Sequence, residues 1–86
     1  MVLSLKSIIE SILLVHGDEI STEKIAAIAK RSKAEVESSL CELQKEYETR
    51  GLALIEHNGS WQLGSRPENA PYIEELAKSE FGEELS

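Results

Sequence analysis

The sequence SKAEVESSLCELQKEYETRGLALIEHNGSWQL, residues 32–63, decides the fold of this 86-residue chain. Ser32 and Glu35 open it in the Ser-x-x-Glu spacing of a helix capping box. Two runs of alternating apolar and polar residues close it, and the Asn-Gly pair between them tolerates the positive φ angles of a type I′ turn. The stretch therefore predicts a capped helix over residues 33–47 that leads into a β-hairpin.

Two shorter helices are predicted before this stretch. The first runs from Leu5 to about His16, with Ser4 as its N-cap. The second follows its own N-cap, Ser21, and Ile20 just before it is a candidate for a short strand. Two helices, a third capped helix and a hairpin in this order predict an α+β fold of the winged helix-turn-helix type, with the hairpin as its wing.

Residues 1–78 are predicted to form this winged-helix domain, which ends in a C-terminal helix around residues 71–78. Residues 79–86 are acidic and contain a glycine, as expected of a frayed tail or the start of a linker. A core of this size gives marginal stability on its own. The domain is therefore expected to gain stability from a partner or from a second copy of itself.

The apolar residues of the helices predict how the helices pack. The first helix has one broad face at a period of 3.6 residues, formed by Leu5, Ile8, Ile9, Ile12, Leu13 and Val15. Leu14 falls on its opposite side, either as an isolated surface leucine or as part of a second buried surface. The second helix has a face suited to close packing, formed by Ile25, Ala26, Ile28 and Ala29. The third is expected to face the core with Val36, Leu40, Leu43 and Tyr47.

The charge of the chain argues against DNA recognition by this fold. The formal net charge of −7 disfavours contact with phosphate backbones and favours basic or apolar partners. The third helix carries two lysines against four glutamates, and residues 51–65 contain no lysine or arginine. The remaining cluster, Lys30, Arg31 and Lys33, is either a solvated corner or a weak contact to one or two phosphates. DNA contact is therefore expected to be weak or indirect, and a winged-helix transcriptional regulator that uses these three cations is the alternative.

The sequence contains no motif for catalysis, cofactor binding or metal ligation. His16, His57 and Cys41 have no metal-ligand spacing, and there is no glycine-rich phosphate loop. No catalytic, cofactor-binding or metal-binding residue is therefore assigned. A small hydrolase or metal protein that gathers these three side chains in one pocket is the alternative from another class.

Cysteine content and hydropathy predict a cytoplasmic protein without a membrane partner. The single cysteine excludes an internal disulfide and fits a reducing compartment. The longest apolar run, residues 12–15, is far too short to span a membrane, and the N-terminus lacks the pattern of a signal peptide.

Trp61 is the only tryptophan and stands just after the predicted hairpin turn. If it packs across the strands on an aliphatic side chain such as Ile55, it contributes on the order of 0.5 kcal/mol as a cross-strand pair. If it is exposed, it is an amphipathic anchor for a partner. The sequence leaves both interpretations open.

Several of these segments together resemble the segregation and condensation protein B (ScpB) family. The most specific is GSWQL at residues 59–63, which closes the wing, followed by RPENAPYIE at residues 66–74. LKSIIESILLVHG at residues 5–17 resembles the opening of the family, although Glu19 stands where the family often has proline. The resemblance covers roughly residues 5–76, which is nearly the whole chain.

The resemblance implies a non-enzymatic accessory subunit of a condensin-like complex that compacts and segregates chromosomes, associated with the nucleoid. The implied partners are a second copy of the chain, the kleisin ScpA and, through ScpA, an SMC ATPase. Because the first winged-helix domain of the family serves self-association, we expect a partner interface at Ile9 and Leu14 on the first helix and at Trp61. ScpB chains carry two winged-helix domains, so we expect this sequence to be an N-terminal fragment or a shortened relative.

Overall fold

A computed structural model describes residues 4–81. Its helices and strands, in chain order, are α1 (Leu5–His16), β1 (Ile20–Ser21), α2 (Thr22–Ala29), α3 (Lys33–Glu46), β2 (Leu52–His57), β3 (Ser60–Ser65) and α4 (Ala70–Phe81). Short 3-10 helices follow α3 and precede α4, at Tyr47–Thr49 and Pro67–Asn69. The predicted α+β winged helix-turn-helix fold is confirmed, with β2 and β3 as the wing. Helix α4 continues past the predicted end at residue 78, and residues 82–86 of the predicted tail lie outside the described residues.

The first three helices begin at the serines that the sequence predicts. The hydroxyl oxygens of Ser4, Ser21 and Ser32 each accept a hydrogen bond of 3.1 Å from the backbone N–H three residues further on. The Glu35 carboxylate in turn accepts from the Ser32 N–H at 3.1 Å, which completes the capping box. This bond, followed by the one from the Ser32 hydroxyl, holds the pKa of Glu35 below its usual value. The caps fix the start of each helix and hence the direction of its apolar face.

The sheet has three antiparallel strands in the order β1-β3-β2. Asn58 and Gly59 adopt φ angles of 51° and 80°, the positive values that a type I′ turn requires. Strand β1 is only two residues long, and it places Ile20 opposite Trp61 of β3. The wing is therefore attached to the helices through its second strand.

Trp61 belongs to the core. Its side chain is 6% exposed, and its indole Nε1 donates a hydrogen bond of 2.9 Å to Thr22 Oγ1. The Thr22 hydroxyl donates onward to the Gly59 carbonyl at 3.2 Å, and the Thr22 N–H donates to the same oxygen at 3.1 Å. The strand register places Glu56 opposite Trp61, while Ile55 lies opposite Gln62. The proposed cross-strand contact of Trp61 with Ile55 is therefore wrong, because the two side chains point to opposite faces of the sheet.

The core lies between the three helices and the inner face of the sheet. It is formed by Ile9, Leu13, Ile20, Ile25, Ala26, Val36, Leu40, Leu43, Tyr47, Leu54 and Trp61. Val15 and Ile28, which the periodicity assigned to packed faces, are instead exposed. The buried side of α1 is centred on Ile9 and Leu13, and Val15 lies about 160° around the helix from Leu13 at 3.6 residues per turn. The apolar face of α1 is thus broader than the core that it meets.

Helix α4 projects from the rest of the domain. All of residues 70–80 are exposed. The radius of gyration is 15.5 Å, whereas a compact domain of this length has about 12 Å. The difference arises from the C-terminal helix, which extends beyond the body formed by α1 to β3.

The hydrogen bond between Trp61 and Thr22 gives a test of how the wing is held. Thr22→Val keeps the shape of the side chain but leaves the buried indole N–H without an acceptor, so we expect the free energy of unfolding to fall by about 1–3 kcal/mol. Urea denaturation measures it. In a Trp61→Phe background there is no indole N–H to lose its acceptor. The same substitution should therefore lower the free energy of unfolding by about 1 kcal/mol less than in the parent. Equal costs in the two backgrounds would contradict the bond.

Candidate interaction surface

Two of the cations on the elements that would face DNA in a winged helix are paired with carboxylates of the same chain. Lys33 Nζ lies 2.8 Å from a carboxylate oxygen of Glu23, and this hydrogen bond raises the pKa of Lys33. Arg31 lies 3.8 Å from Glu35. At the wing tip, Glu56 accepts a hydrogen bond of 2.9 Å from Gly59 N–H, which places a carboxylate where a phosphate-binding wing carries lysine or arginine. Of the predicted phosphate contacts Lys30, Arg31 and Lys33, the last two are therefore in ion pairs.

The three side chains of the hydrolase or metal alternative lie on different elements. His16 is at the end of α1, with its Nε2 3.0 Å from the Glu19 carbonyl oxygen, Cys41 is exposed on α3, and His57 ends β2. Within residues 4–81, no group of three or more His, Cys, Asp or Glu side chains is placed to hold a metal ion. The three side chains therefore do not form a metal site in the part of the chain that the structure describes.

The helices within residues 4–81 lack the length and hydropathy of a membrane-spanning segment.

Of the predicted interface residues, only Leu14 is on the surface. Leu14 is 71% exposed, whereas Ile9 is fully buried and Trp61 is held in the core by its bond to Thr22. The assignment of Ile9 and Trp61 to a partner interface is therefore corrected. Ile9 lies on the inner side of α1, and Trp61 faces the helices rather than solvent.

Leu14 borders a hollow between α1 and the base of the wing. The hollow has a volume of about 320 Å³ and is lined by Glu10, Ser11, Leu14, Tyr47, Leu52 and Leu63. We call it the α1/wing hollow. On its floor the Tyr47 hydroxyl donates a hydrogen bond to the Glu10 carboxylate, and burial followed by this bond raises the pKa of Tyr47. The hollow thus combines apolar walls with one acidic edge.

A second depression lies on the other side of α1, against α2. It has a volume of about 400 Å³ and is lined by Ser11, Ile12, Val15, His16, Ile20, Lys24 and Ile28. We call it the α1/α2 groove. Val15 is 84% exposed at its edge, and Ser11 lines both depressions. The outer side of α1 therefore carries two depressions with exposed apolar residues at their edges, and only Leu14 among these residues was singled out from the sequence.

Helix α4 presents a further exposed apolar set. Tyr72, Ile73 and Leu76 are 75%, 45% and 55% exposed. Side chains of this size are rarely left uncovered together on a small domain. Their exposure was missed because a helical pattern of apolar residues indicates burial without saying which surface provides it.

Arg66 is a structural residue that sequence reasoning used only as part of a motif. Its Nη2 donates to the carbonyl oxygens of Tyr47 and Leu52 at 2.7 and 3.0 Å, and its Nε donates to the Arg50 carbonyl at 3.1 Å. Its backbone N–H donates to the Gly51 carbonyl at 2.8 Å. Arg66 therefore fastens the end of the wing to the turn after α3 and sets the point from which α4 departs. The Arg-Pro pair after the predicted wing is the feature of the sequence that could have pointed to this structural role.

These features define a winged helix-turn-helix domain whose DNA-facing elements are acidic and whose exposed surfaces are apolar. The sequence profile of the segregation and condensation complex subunit ScpB matches residues 7–86. Segregation and condensation protein B of Clostridium botulinum (strain Kyoto / Type A2) is 37% identical over 83 residues, which cover 94% of this chain and 43% of that protein. The chain belongs to the ScpB family, and it spans less than half the length of this relative.

Two solved structures are similar to the domain. One is a crystal structure of a dimer of the ScpB N-terminal domain complexed with a ScpA peptide, with a TM-score of 0.77, 36% identity, and coverage of 83% of this chain and 91% of that chain. The other is the crystal structure of ScpB from Mycobacterium tuberculosis, with a TM-score of 0.86, 24% identity, and coverage of 95% and 54%. At 24% identity the second similarity establishes the fold alone.

The charge pattern predicts negligible DNA binding by the isolated chain. With the three cations of the cluster as its only phosphate contacts, the slope of log affinity against log salt should be no steeper than about −3. A fluorescence anisotropy titration with a short duplex at about 0.15 M salt, where the Debye length is about 8 Å, should show no micromolar binding. Micromolar affinity with a steep salt dependence would instead support the transcriptional regulator.

Proposed function

We propose that this chain is a non-enzymatic interaction and dimerisation domain of a condensin-like SMC–kleisin complex that acts in chromosome segregation and condensation. Its proposed partners are a second copy of itself, the kleisin ScpA and, through ScpA, an SMC ATPase. In this proposal the domain works in the cytoplasm, is associated with the nucleoid through the complex, and contacts DNA weakly or indirectly.

The exposed apolar residues and the two depressions on the outer side of α1 are the observation that carries the proposal. Leu14 and Val15 are both more than two-thirds exposed there, and the two depressions on either side of them add further apolar area. A small domain gains little by leaving large aliphatic side chains in water. Such a surface is suited to a protein partner, and the ion-paired cations next to α3 make it a better candidate than the DNA-facing elements.

Similarity to a dimeric relative supports the choice of partner. The structure that shares 36% identity with this chain is a dimer of the ScpB N-terminal domain complexed with a ScpA peptide, and it aligns with 83% of this chain. Surface apolar residues and a related dimer point to the same kind of role. The acidic chain, with its net charge of −7, also favours partners whose contacting segment is basic or apolar.

Leu14→Glu tests self-association. The substitution places a charge in the centre of the proposed surface, so we expect multi-angle light scattering to show a dimer for the parent and a monomer for the variant. Because Leu14 is 71% exposed, the free energy of unfolding should change by less than about 0.5 kcal/mol. Ser38→Glu, which adds the same charge at an exposed position of α3, is the matched control and should stay dimeric. A parent that is monomeric at every concentration would refute the proposed dimer.

A peptide titration tests the kleisin contact. A fluorescein-labelled peptide of the ScpA segment present in the related dimer should bind the chain saturably, while a scrambled peptide of the same composition should not. Fluorescence anisotropy measures both. Equal binding of the two peptides would mean that only charge and composition are recognised, and the kleisin role would be rejected for this chain.

A further inference from the structure

The wing tip, residues 56–60, contains the only Asn-Gly pair of the chain. Asn58 and Gly59 are both exposed, and both have positive φ angles. The one other asparagine, Asn69, is followed by alanine. Because glycine has no side chain to hinder its backbone nitrogen, asparagine loses ammonia most readily when glycine follows it. The residues that form the turn are therefore also the most reactive amide pair of the sequence.

The reaction open to this pair is deamidation through a cyclic imide. The Gly59 nitrogen gives its proton to hydroxide or water and attacks Cγ of Asn58. A bond from Cγ to this nitrogen forms, the bond from Cγ to the side-chain nitrogen breaks, and ammonia leaves after taking up a proton from water. Water then opens one of the two C–N bonds of the five-membered ring, which gives aspartate or isoaspartate at position 58. The net change is the uptake of one water molecule and the release of one ammonia molecule.

The turn keeps the attacking nitrogen away from the side chain. In a type I′ turn the ψ angle of the first central residue is about +30°. The tetrahedral geometry of Cα then places the Gly59 nitrogen about 150° away from Cβ of Asn58 around the Cα–C bond, whereas closure of a five-membered ring needs the two nearly eclipsed. The ring can therefore form only after the peptide group between Asn58 and Gly59 has rotated out of the turn.

Hydrogen bonds on both sides of Gly59 oppose this rotation. Its N–H donates to the Glu56 carboxylate at 2.9 Å. Its carbonyl oxygen accepts two bonds from Thr22, at 3.1 Å from the N–H and 3.2 Å from the hydroxyl. The Thr22 hydroxyl also accepts the bond from the indole of Trp61. Rotation of the turn thus breaks the bond to Glu56 and disturbs contacts that lead into the core.

We propose that Asn58 is a site of spontaneous deamidation, that Glu56 and Thr22 suppress the reaction by holding the wing tip closed, and that an isoaspartate formed there disturbs the core around Trp61. Isoaspartate adds one methylene group to the main chain between position 58 and Gly59. The added length moves the Gly59 carbonyl away from Thr22, whose hydroxyl is the acceptor for the indole. The proposal concerns the wing alone and does not depend on the proposed dimer or on the kleisin contact.

A comparison of the folded chain with a short peptide tests the site and its suppression. The peptide comprises residues 56–61, which include the same Asn-Gly pair without the contact to Thr22. Both are incubated at the same pH and temperature, and tandem mass spectrometry measures the exchange of NH2 for OH at each asparagine. The peptide should react at position 58, and the folded chain should react at least about tenfold more slowly, because its reaction requires local opening of the wing. Equal rates would overturn the suppression, and an unreactive peptide would overturn the site.

Substitutions of Glu56 test how its carboxylate acts. Glu56→Ala removes the acceptor of the Gly59 N–H, so deamidation should become about two- to tenfold faster. Glu56→Gln keeps an acceptor oxygen without the charge and should react at a rate between those of the parent and the alanine variant. Glu74→Ala, which removes an exposed glutamate from α4, is the matched control and should react like the parent. Circular dichroism confirms that each variant is folded.

The opposite result has a distinct meaning. If Glu56→Ala and Glu56→Gln both slow the reaction, the carboxylate takes the proton from the Gly59 nitrogen and promotes the attack. That result, or an unchanged rate in Glu56→Ala, would overturn the proposed role of Glu56.

The fluorescence of the only tryptophan tests the effect on the core. Chains that contain isoaspartate are counted with protein isoaspartate methyltransferase, which methylates isoaspartate and leaves aspartate unchanged, and are separated by ion-exchange chromatography. Their Trp61 emission should shift to longer wavelength, because the indole loses its fixed surroundings. Asn58→Asp is the matched control: it adds the same charge without lengthening the main chain, and its emission should match the parent. Equal emission from the isoaspartate form and the parent would overturn the proposed disturbance of the core.

Discussion

The buried hydrogen bond from Trp61 to Thr22 determines how the wing sits on the helices. Trp61 is in the middle strand of the sheet, and Thr22 is the first residue of α2, so one bond joins the two halves of the domain. The Thr22 hydroxyl then reaches the Gly59 carbonyl at the hairpin turn, which gives both polar groups a partner away from water. Since the only tryptophan serves the core in this way, the wing has no large aromatic side chain on its surface, and the exposed apolar residues lie mainly on α1 and α4.

The size of the core explains why those two helices remain apolar on the outside. A domain of this length buries a smaller fraction of its surface than a larger one, and the sheet has only three strands with which to cover the helices. Helix α1 consequently buries Ile9 and Leu13 completely and leaves Val15 in water. Helix α4 likewise stays exposed beyond the point where Arg66 fastens the chain. Apolar residues that the domain cannot cover by itself are the physical basis for its proposed association with other chains.

The features that were predictable from sequence are those fixed by neighbours along the chain. Serine caps, the Ser32–Glu35 capping box and the Asn-Gly turn depend on contacts within four residues, and the structure confirms each of them. The place of Trp61 depends on its pairing with Ile20, which is far away in sequence, so the strand pattern alone could not choose between core and surface. The exposure of Val15 and the direction of α4 likewise depend on which surfaces the folded chain can offer. Of the candidate interface, only Leu14 was identified from its position on the helix, because a residue opposite a predicted core face needs no tertiary information.

Ion pairs around α3 turn the part of the fold that reads DNA in other winged helices into a structural element. Lys33 holds Glu23 of α2, and Lys6 of α1 approaches Glu46 and lies 3.2 Å from Glu42. The hydrogen bonds to these glutamates raise the pKa values of both lysines. Cations used in this way join the three helices to one another. A phosphate approaching α3 would have to compete with carboxylates that are already in place, within a chain whose net charge repels it. The electrostatics that stabilise the helical body thus favour association through the apolar surfaces rather than through α3.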